Sequence, residues 1–320
     1  MAKKIKQKPG LALAKVVFAP KAPGASMHPY TIARIVEDAD GDPDFDARTR
    51  RRLKDKWTIS KVEAMGTDTI FERLRSLDVE VNATDLPRIA EGHHSAWDAS
   101  RQFSERYRGT DDEDFIGLAF CALWKRCLQS RPSIEMIDDW IVEGYRCSEE
   151  HTHDQGLNLW RRAWDTLRVR LDSAVTTTDA AERAAFTGLT SIFNWTQDYV
   201  EEHVHVSPGF VDEGAKLIDE LLAQFQAETL RYRQNIAADK VAIYQAADRF
   251  DDAERAAKAL IDAWPNHAIG YAMLAELARK ADRRDEAIAI LDRALALPVV
   301  DAREFELKQR LVHLRAGPAR

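Results

Sequence analysis

Residues 268–301 read AIGYAMLAELARKADRRDEAIAILDRALALPVVD, and a comparable pattern immediately precedes them over 234–267. Asp251-Asp252-Ala253 aligns with Asp285-Glu286-Ala287 in that register. Tyr271, Leu274 and Ala275 open the later unit, and Ala287, Leu291 and Ala294 occupy its second half; Tyr244, Phe250, Ala253, Ala257 and Pro265 take comparable places in the earlier one. A fixed period of about 34 residues is the signature of a repeated helical hairpin. Small residues let paired helices approach closely, while Tyr271 and Leu291 fill the space between them.

The repeat resembles the tetratricopeptide repeat, a helix–turn–helix unit of that length. A third, degenerate unit is expected over 137–170, where Trp140 and Gly144 match the opening helix and Asp154-Gln155-Gly156-Leu157, Trp160 and Ala163 match the second. Glu143, Cys147 and Arg168 depart from the pattern. Ala302 to Leu314 then reads as a capping helix with a polar outer face. Since two repeats do not bury their own core, neighbouring helices must complete the stack.

Upstream, spacings of three and four predict further amphipathic helices. Ile70, Phe71, Leu74 and Leu77 mark one; others are expected over Leu86–Tyr107, Glu113–Leu128, from Pro132-Ser133 through Ile141, and across Leu157–Leu171. A sixth is expected from the Asp179/Glu182 capping pair through Phe186, Leu189, Phe193 and Tyr199. No alternating strand pattern follows residue 56, so the fold class is all-α: a repeat-built helical solenoid with an irregular basic N-terminal arm. The expected segments are 1–56 (irregular), 57–130 (N-terminal helices), 131–232 (degenerate repeats), 233–301 (two repeats) and 302–320 (cap and tail).

Residues 1–56 carry five of the 11 prolines, which argues against a long helix there. Seven basic residues and no acid occupy 1–36: Lys3, Lys4, Lys6, Lys8, Lys15, Lys21 and Arg34. A basic arm on an acidic chain of net charge −7 either solubilises the protein, docks on the body, or reaches an anionic partner such as nucleic acid. Asp38, Asp40, Asp42, Asp44 and Asp46 alternate as in a calcium loop, but Pro43 replaces the required Gly and Thr49 the bidentate Glu, leaving a solvated acidic loop.

Apolar residues make up 45% and charged residues 31%, which excludes wholesale disorder. Only 14 glycines argue against glycine-loop nucleotide enzymes. The longest apolar run, Ile116–Trp124, falls far short of the roughly 18 residues that span a bilayer, so no membrane association is expected. The basic N-terminus is a poor secretory leader because Lys15 interrupts Leu11–Ala19. Three cysteines form no even framework, which fits a reducing, cytoplasmic setting.

A more particular resemblance covers 57–315. Trp57-Thr58-Ile59-Ser60, Ile70-Phe71-Glu72-Arg73-Leu74, Asp138-Asp139-Trp140-Ile141-Val142-Glu143-Gly144-Tyr145 and Asn194-Trp195-Thr196-Gln197-Asp198-Tyr199 are similar to bacterial helical-repeat proteins of uncharacterised function. Relatives in that group often carry the SEC-C zinc motif; here no Cys-x-Cys or Cys-Cys occurs, so no metal role carries over.

Chemistry-bearing motifs are sparse. His151-Thr152-His153 and His203-Val204-His205 could offer imidazoles to a metal, yet His-x-His chelates best from a strand, and polar loop histidines are the simpler reading. Cys121 and Cys127 read as buried small hydrophobes. Trp140, Trp160 and Trp164 fall at core spacing; Trp195, flanked by Asn194, Gln197 and Asp198, either borders a pocket or ends a helix face. No phosphate loop, His-Glu-x-x-His, nucleophile elbow or kinase set is present, so neither a catalytic residue nor a cofactor is expected. The resemblance instead implies a concave groove lined by Asp138, Tyr145 and Glu149, then Asn235 and Gln245, then Glu276, Arg279 and Lys280, suited to a peptide or helix of a protein partner. Ala238 and Ala242 stand at two sites where relatives that clamp a C-terminal carboxylate use polar residues.

Overall fold

The computed structural model describes residues 29–40, 56–185, 191–204, 208–303 and 305–316. Among them are 16 α-helices, two short 3-10 turns and no strand. The chain divides into an N-terminal unit, Met1–Asp172 with Asp179–Trp195, and a C-terminal unit, Ser173–Thr178 with Thr196–Arg320.

The N-terminal unit contains α1 (Pro29–Asp40), α2 (Ile59–Glu63), α3 (Thr67–Ser76), α4 (Leu86–Ile89), α5 (Ala96–Ser104), α6 (Asp111–Cys127), α7 (Ile134–Glu149), α8 (His153–Arg168) and most of α9 (Thr178–Ala185). Its centre is α6, with α2, α3 and α5 packed on it. Every residue from Phe115 to Trp124 is buried, which explains the apolar run. Asp111, Asp112, Glu113 and Asp114 in its first turn and Lys125 and Arg126 in its last oppose the helix dipole at both ends.

Three helix expectations need correction. The segment 1–56 is not wholly irregular, because α1 runs through it. Pro29 opens that helix, where a missing N–H costs nothing, and no proline follows until Pro43. The helix expected over Leu86–Tyr107 is broken: Ser95 caps a fresh start, its Oγ accepting the Asp98 amide at 2.9 Å. The sixth helix is likewise two, α9 and α10 (Ile192–Glu202). Glu182 does not complete a capping box; its carboxylate accepts the Ile192 amide at 2.7 Å and so starts α10. Phe186 and Leu189 lie outside the described residues, as do Lys3, Lys4, Lys6, Lys8, Lys15 and Lys21 of the basic arm and residues 41–46 of the acidic run.

The C-terminal unit continues with α11 (Val211–Gln224), α12 (Leu230–Ala246), α13 (Phe250–Ala263), α14 (Ala268–Lys280), α15 (Arg284–Ala296) and α16 (Leu307–Ala316). Consecutive helices from α11 onward pack on one another, and α12 also meets α14. One core joins Ala238, Val241, Ala253, Ala257 and Leu260 to Ile269, Leu274 and Leu277. A second gathers Tyr271, Ala275, Ala287, Leu291 and Ala294 and is closed by Leu307, Leu311 and Leu314 of α16. The outer face of α16 departs from the expected polar cap at Val312, which is 67% exposed.

The hairpin turns carry the repeat most directly. Asp248 and Asp282 hold the same place in successive units and have φ of 57° and 56°, and His151 has φ 59°. In each case the next amide returns to a carbonyl five residues back: Arg249 to Tyr244 (2.9 Å), Arg283 to Ala278 (2.9 Å) and Thr152 to Cys147 (2.8 Å). This is the Schellman closure. Asp78 closes α3 in the same way, and the Leu307 amide after left-handed Glu306 makes the same return to Ala302 in the turn before α16, so the closure alone is common among the described residues. What is particular is the register: 151, 248 and 282 are each the fifteenth residue of the units 137–170, 234–267 and 268–301.

No helix among the described residues is long and apolar enough to cross a membrane.

Candidate functional site

In the C-terminal unit the candidate residues lie on the first helices of the two hairpins. On α12, Asn235 is exposed and Gln245 half-buried; on α14, Glu276 is half-buried while Arg279 and Lys280 are exposed. Positions 235, 238, 242 and 245 follow the three-four-three spacing of one helix face, and 269, 272, 276 and 279 repeat it in the next unit. Of these, Ala238, Ile269 and Ala272 are buried in the cores, while Ala242 is half-buried and keeps the open part of the α12 face low.

Arg279 donates to Glu276 through Nε at 2.9 Å and Nη2 at 2.6 Å, a two-point grip. That hydrogen bonding holds the Glu276 carboxyl below its usual range, with Arg279, Lys280 and Arg310 adding charge attraction. It also raises Arg279. Arg279 is the cation in contact with this carboxylate; Lys280 and Arg310 act on it from a distance. On α12, burial and the neighbouring Glu201 push Asp239 up to about 7.

In the N-terminal unit the candidate residues do not form an open face. Asp138 is only 1% exposed, which removes it from any solvent-facing lining. Tyr145 stands edge-on to Trp160, ring centroids 4.9 Å apart, and Glu149 is exposed. The packing beneath them is tight. Trp160 lies over Gly144 and donates its indole N–H to the Ile141 carbonyl at 2.9 Å. A Cβ on Gly156 would stand 3.0 Å from the Gly144 carbonyl oxygen, a tight fit, while a Cβ on Gly144 would run into the Trp160 ring.

The histidines behave differently from one another. The His151 and His153 rings are 5.8 Å apart across the α7–α8 turn. His203 lies in the turn after α10 but is buried: it is 2% exposed, packs on Gly214, and its Nδ1 lies 2.9 Å from the Tyr199 carbonyl oxygen. His205 lies outside the described residues. Among those residues, no group of three or more His, Cys, Asp or Glu side chains is arranged to hold a metal ion. Cys121 is buried and its thiol pushed well up by that burial, but Cys127 is exposed, contrary to expectation, because six positions on from Cys121 the last turn of α6 has left the core. Trp195 is fully buried and borders no open pocket.

Sequence reasoning missed a polar knot where α1 meets α2, α6 and α7. The Tyr30 hydroxyl donates to Asp139 at 3.0 Å, and Arg34 pairs with the same carboxylate. Lys125 bridges Asp139 at 3.3 Å and Glu63 at 2.9 Å. Burial raises the Tyr30 phenol well above its ordinary value. Nearby, buried Glu135 accepts the Ser95 hydroxyl (2.6 Å) and the Ala96 (3.0 Å) and Trp97 (3.1 Å) amides, capping α5 from α7. Only the Ser95 cap was visible as a local signal. The other contacts join residues far apart in the chain.

No protein-family model and no curated protein matches this sequence.

Proposed function

We propose that this chain is a non-enzymatic, cytoplasmic adaptor of the tetratricopeptide-like solenoid class, which binds a peptide or helix of a protein partner across the α12–α14 face. The observation that carries the reading is the repeated hairpin: left-handed Asp248 and Asp282 occupy equivalent places in successive units, with the same hydrogen-bonded closure. Packing of α12 on α14, first helix on first helix, supports successive stacking of the units. The exposed part of the first-helix face offers an amide at Asn235, the half-buried Ala242 and Gln245, and a cationic end, a surface suited to an extended segment or helix.

The test is affinity purification from the native host, with and without nuclease, comparing wild type with an Asn235→Arg/Lys280→Glu double variant. Both positions are exposed, so the variant should change stability by less than about 0.5 kcal/mol each. The expected result is a defined protein retained by wild type after nuclease and lost by the variant. Recovery that disappears with nuclease would replace this reading with nucleic-acid binding through the basic arm, and equal retention by the variant would remove the face from consideration.

A further inference from the structure

α1 is seated in the N-terminal unit as a ligand would be. Tyr30, Arg34 and Glu37, at i, i+4 and i+7, lie along one stripe of the helix. Tyr30 is 3% exposed and covers a small cavity of about 10 Å³ whose lining includes Leu118, Cys121 and Ala122 of α6, Met136 of α7 and Ile59 of α2. Its hydroxyl and the Arg34 guanidinium converge on Asp139. Further along the stripe, the Glu37 carboxylate accepts the Ser60 amide at 3.0 Å, capping the first turn of α2 from outside. Thr58 already serves the next amide, Lys61, at 3.2 Å.

α1 adds to a floor that other helices largely build, and it covers the part around Leu118, Cys121 and Ala122. Most of the packing on α6 comes from α2, α3 and α5. Charge complementarity is specific: among the described residues, once Arg34 is taken away, Lys125 is the cation left to serve both Asp139 and Glu63. A twelve-residue helix is close to the length at which helices are marginal alone in water, so α1 owes its form to this seat.

We infer that the surface formed by α2, α6 and α7 is a recognition groove for a helix bearing an aromatic residue, an arginine and a carboxylate at i, i+4 and i+7, and that α1 fills it in cis as a displaceable latch. A partner helix with the same three groups takes the place of Tyr30, Arg34 and Glu37 at Asp139 and Ser60. This mode is helix-in-groove recognition, with α1 as an intramolecular competitor whose local concentration sets the threshold for the partner. The inference is independent of the α12–α14 face.

The three cysteines report on it in the full chain. Cys121 lies under α1, Cys147 is buried on the side of α7 that faces Gly156, and Cys127 is exposed. Thiol labelling of wild type under native conditions should modify Cys127 first and Cys121 at least about tenfold faster than Cys147, because a latch opens without global unfolding. Tyr30→Ala/Arg34→Ala should speed Cys121 by a further factor of about ten or more and leave Cys147 unchanged. A synthetic peptide of residues 29–40, added at roughly millimolar concentration, should restore Cys121 protection in that variant. The same peptide carrying Arg34→Glu should not.

Labelling of Cys121 and Cys147 in step, or failure of the wild-type peptide to protect, overturns the inference. Protection that rises with chain concentration in the absence of peptide assigns the seat to a second copy and overturns the cis arrangement. Should the double variant fail to fold, hydrogen exchange on wild type decides: α1 amides should exchange at least about tenfold faster than those of α6, and equal rates overturn the latch.

Discussion

Replacing Gly144 by alanine tests whether the α7–α8 hairpin is built on close approach. A Cβ at 144 would stand 2.1 Å from Trp160 Nε1 and 2.4 Å from Cδ1. Carbon contacts relax near about 3.5 Å, so the ring must retreat by more than about 1 Å. It has little room to do so, being 1% exposed and held by Tyr145 on one edge. Overpacking of this kind costs about 1–3 kcal/mol. Pulling the indole from the Ile141 carbonyl leaves buried polar groups unpaired, at about 1–3 kcal/mol more. Against this, Gly→Ala in a helix interior gains up to about 1 kcal/mol. The net expectation is a loss of roughly 3 kcal/mol, read from urea denaturation followed by circular dichroism. The decisive arm is the same substitution in a Trp160→Leu background, where the clashing atoms are gone. There, Gly144→Ala should be neutral or stabilising. An unchanged denaturation midpoint in the wild-type background, or an equal loss in both backgrounds, would refute the reasoning.

Asp248→Gly and Asp282→Gly should each raise stability by about 0.5–1 kcal/mol, since both replace an L-residue at positive φ, and a fall in melting temperature would contradict the turn geometry. Asp239→Asn should flatten part of the pH dependence. The raised value of about 7 means that the folded state holds the proton more tightly than the unfolded chain, so this group's contribution is full below about pH 4 and is lost as pH rises to 7. The variant should therefore gain on wild type by roughly 4 kcal/mol between about pH 4 and pH 8, and parallel stability curves would dismiss the shift. Glu135→Ala should cost about 3 kcal/mol by leaving the Ser95, Ala96 and Trp97 donors without their carboxylate, with the first turn of α5 losing hydrogen-exchange protection before α6 does.

The hairpins α12–α15 were legible because their signal is local. Apolar spacing sets the helix phase, and the repeated Ala-Asp-Arg at 247–249 and 281–283 marks the turn once its register is known. α1 was hidden for a compositional reason: five prolines averaged over the whole N-terminal segment obscured a proline-free stretch behind Pro29. The merged helices failed at their joints, because apolar spacing continues through Leu86–Trp97 while Ser95 starts a new helix. Asp138 shows the limit of alignment most plainly. Register assigns it a helix face, but whether neighbouring elements cover that face depends on tertiary contacts that no spacing records. The α1 seat was out of reach for the same reason, since Tyr30 and Asp139 are brought together from distant parts of the chain.

The degenerate unit over 137–170 and the unit over 268–301 reach one turn geometry with different side chains, and the difference is compensated in volume. In the later unit Ala275 and Ala287 are the close-approach residues and Leu291 fills the space beside them, all three in one buried core. In the earlier unit the equivalent places are Gly144 and Gly156, with Trp160 as the filler. Two methyl groups are removed and an indole replaces an isobutyl group, so the interior remains filled at close-packed density. Such an exchange is tolerated only as a set. Gly144→Ala alone meets the Trp160 ring, and Trp160→Leu alone leaves a cavity. Sequence identity at single positions decays quickly under that constraint, while the left-handed residue at the turn, His151 in one unit and Asp282 in the other, keeps its place because the backbone path through the hairpin is shared.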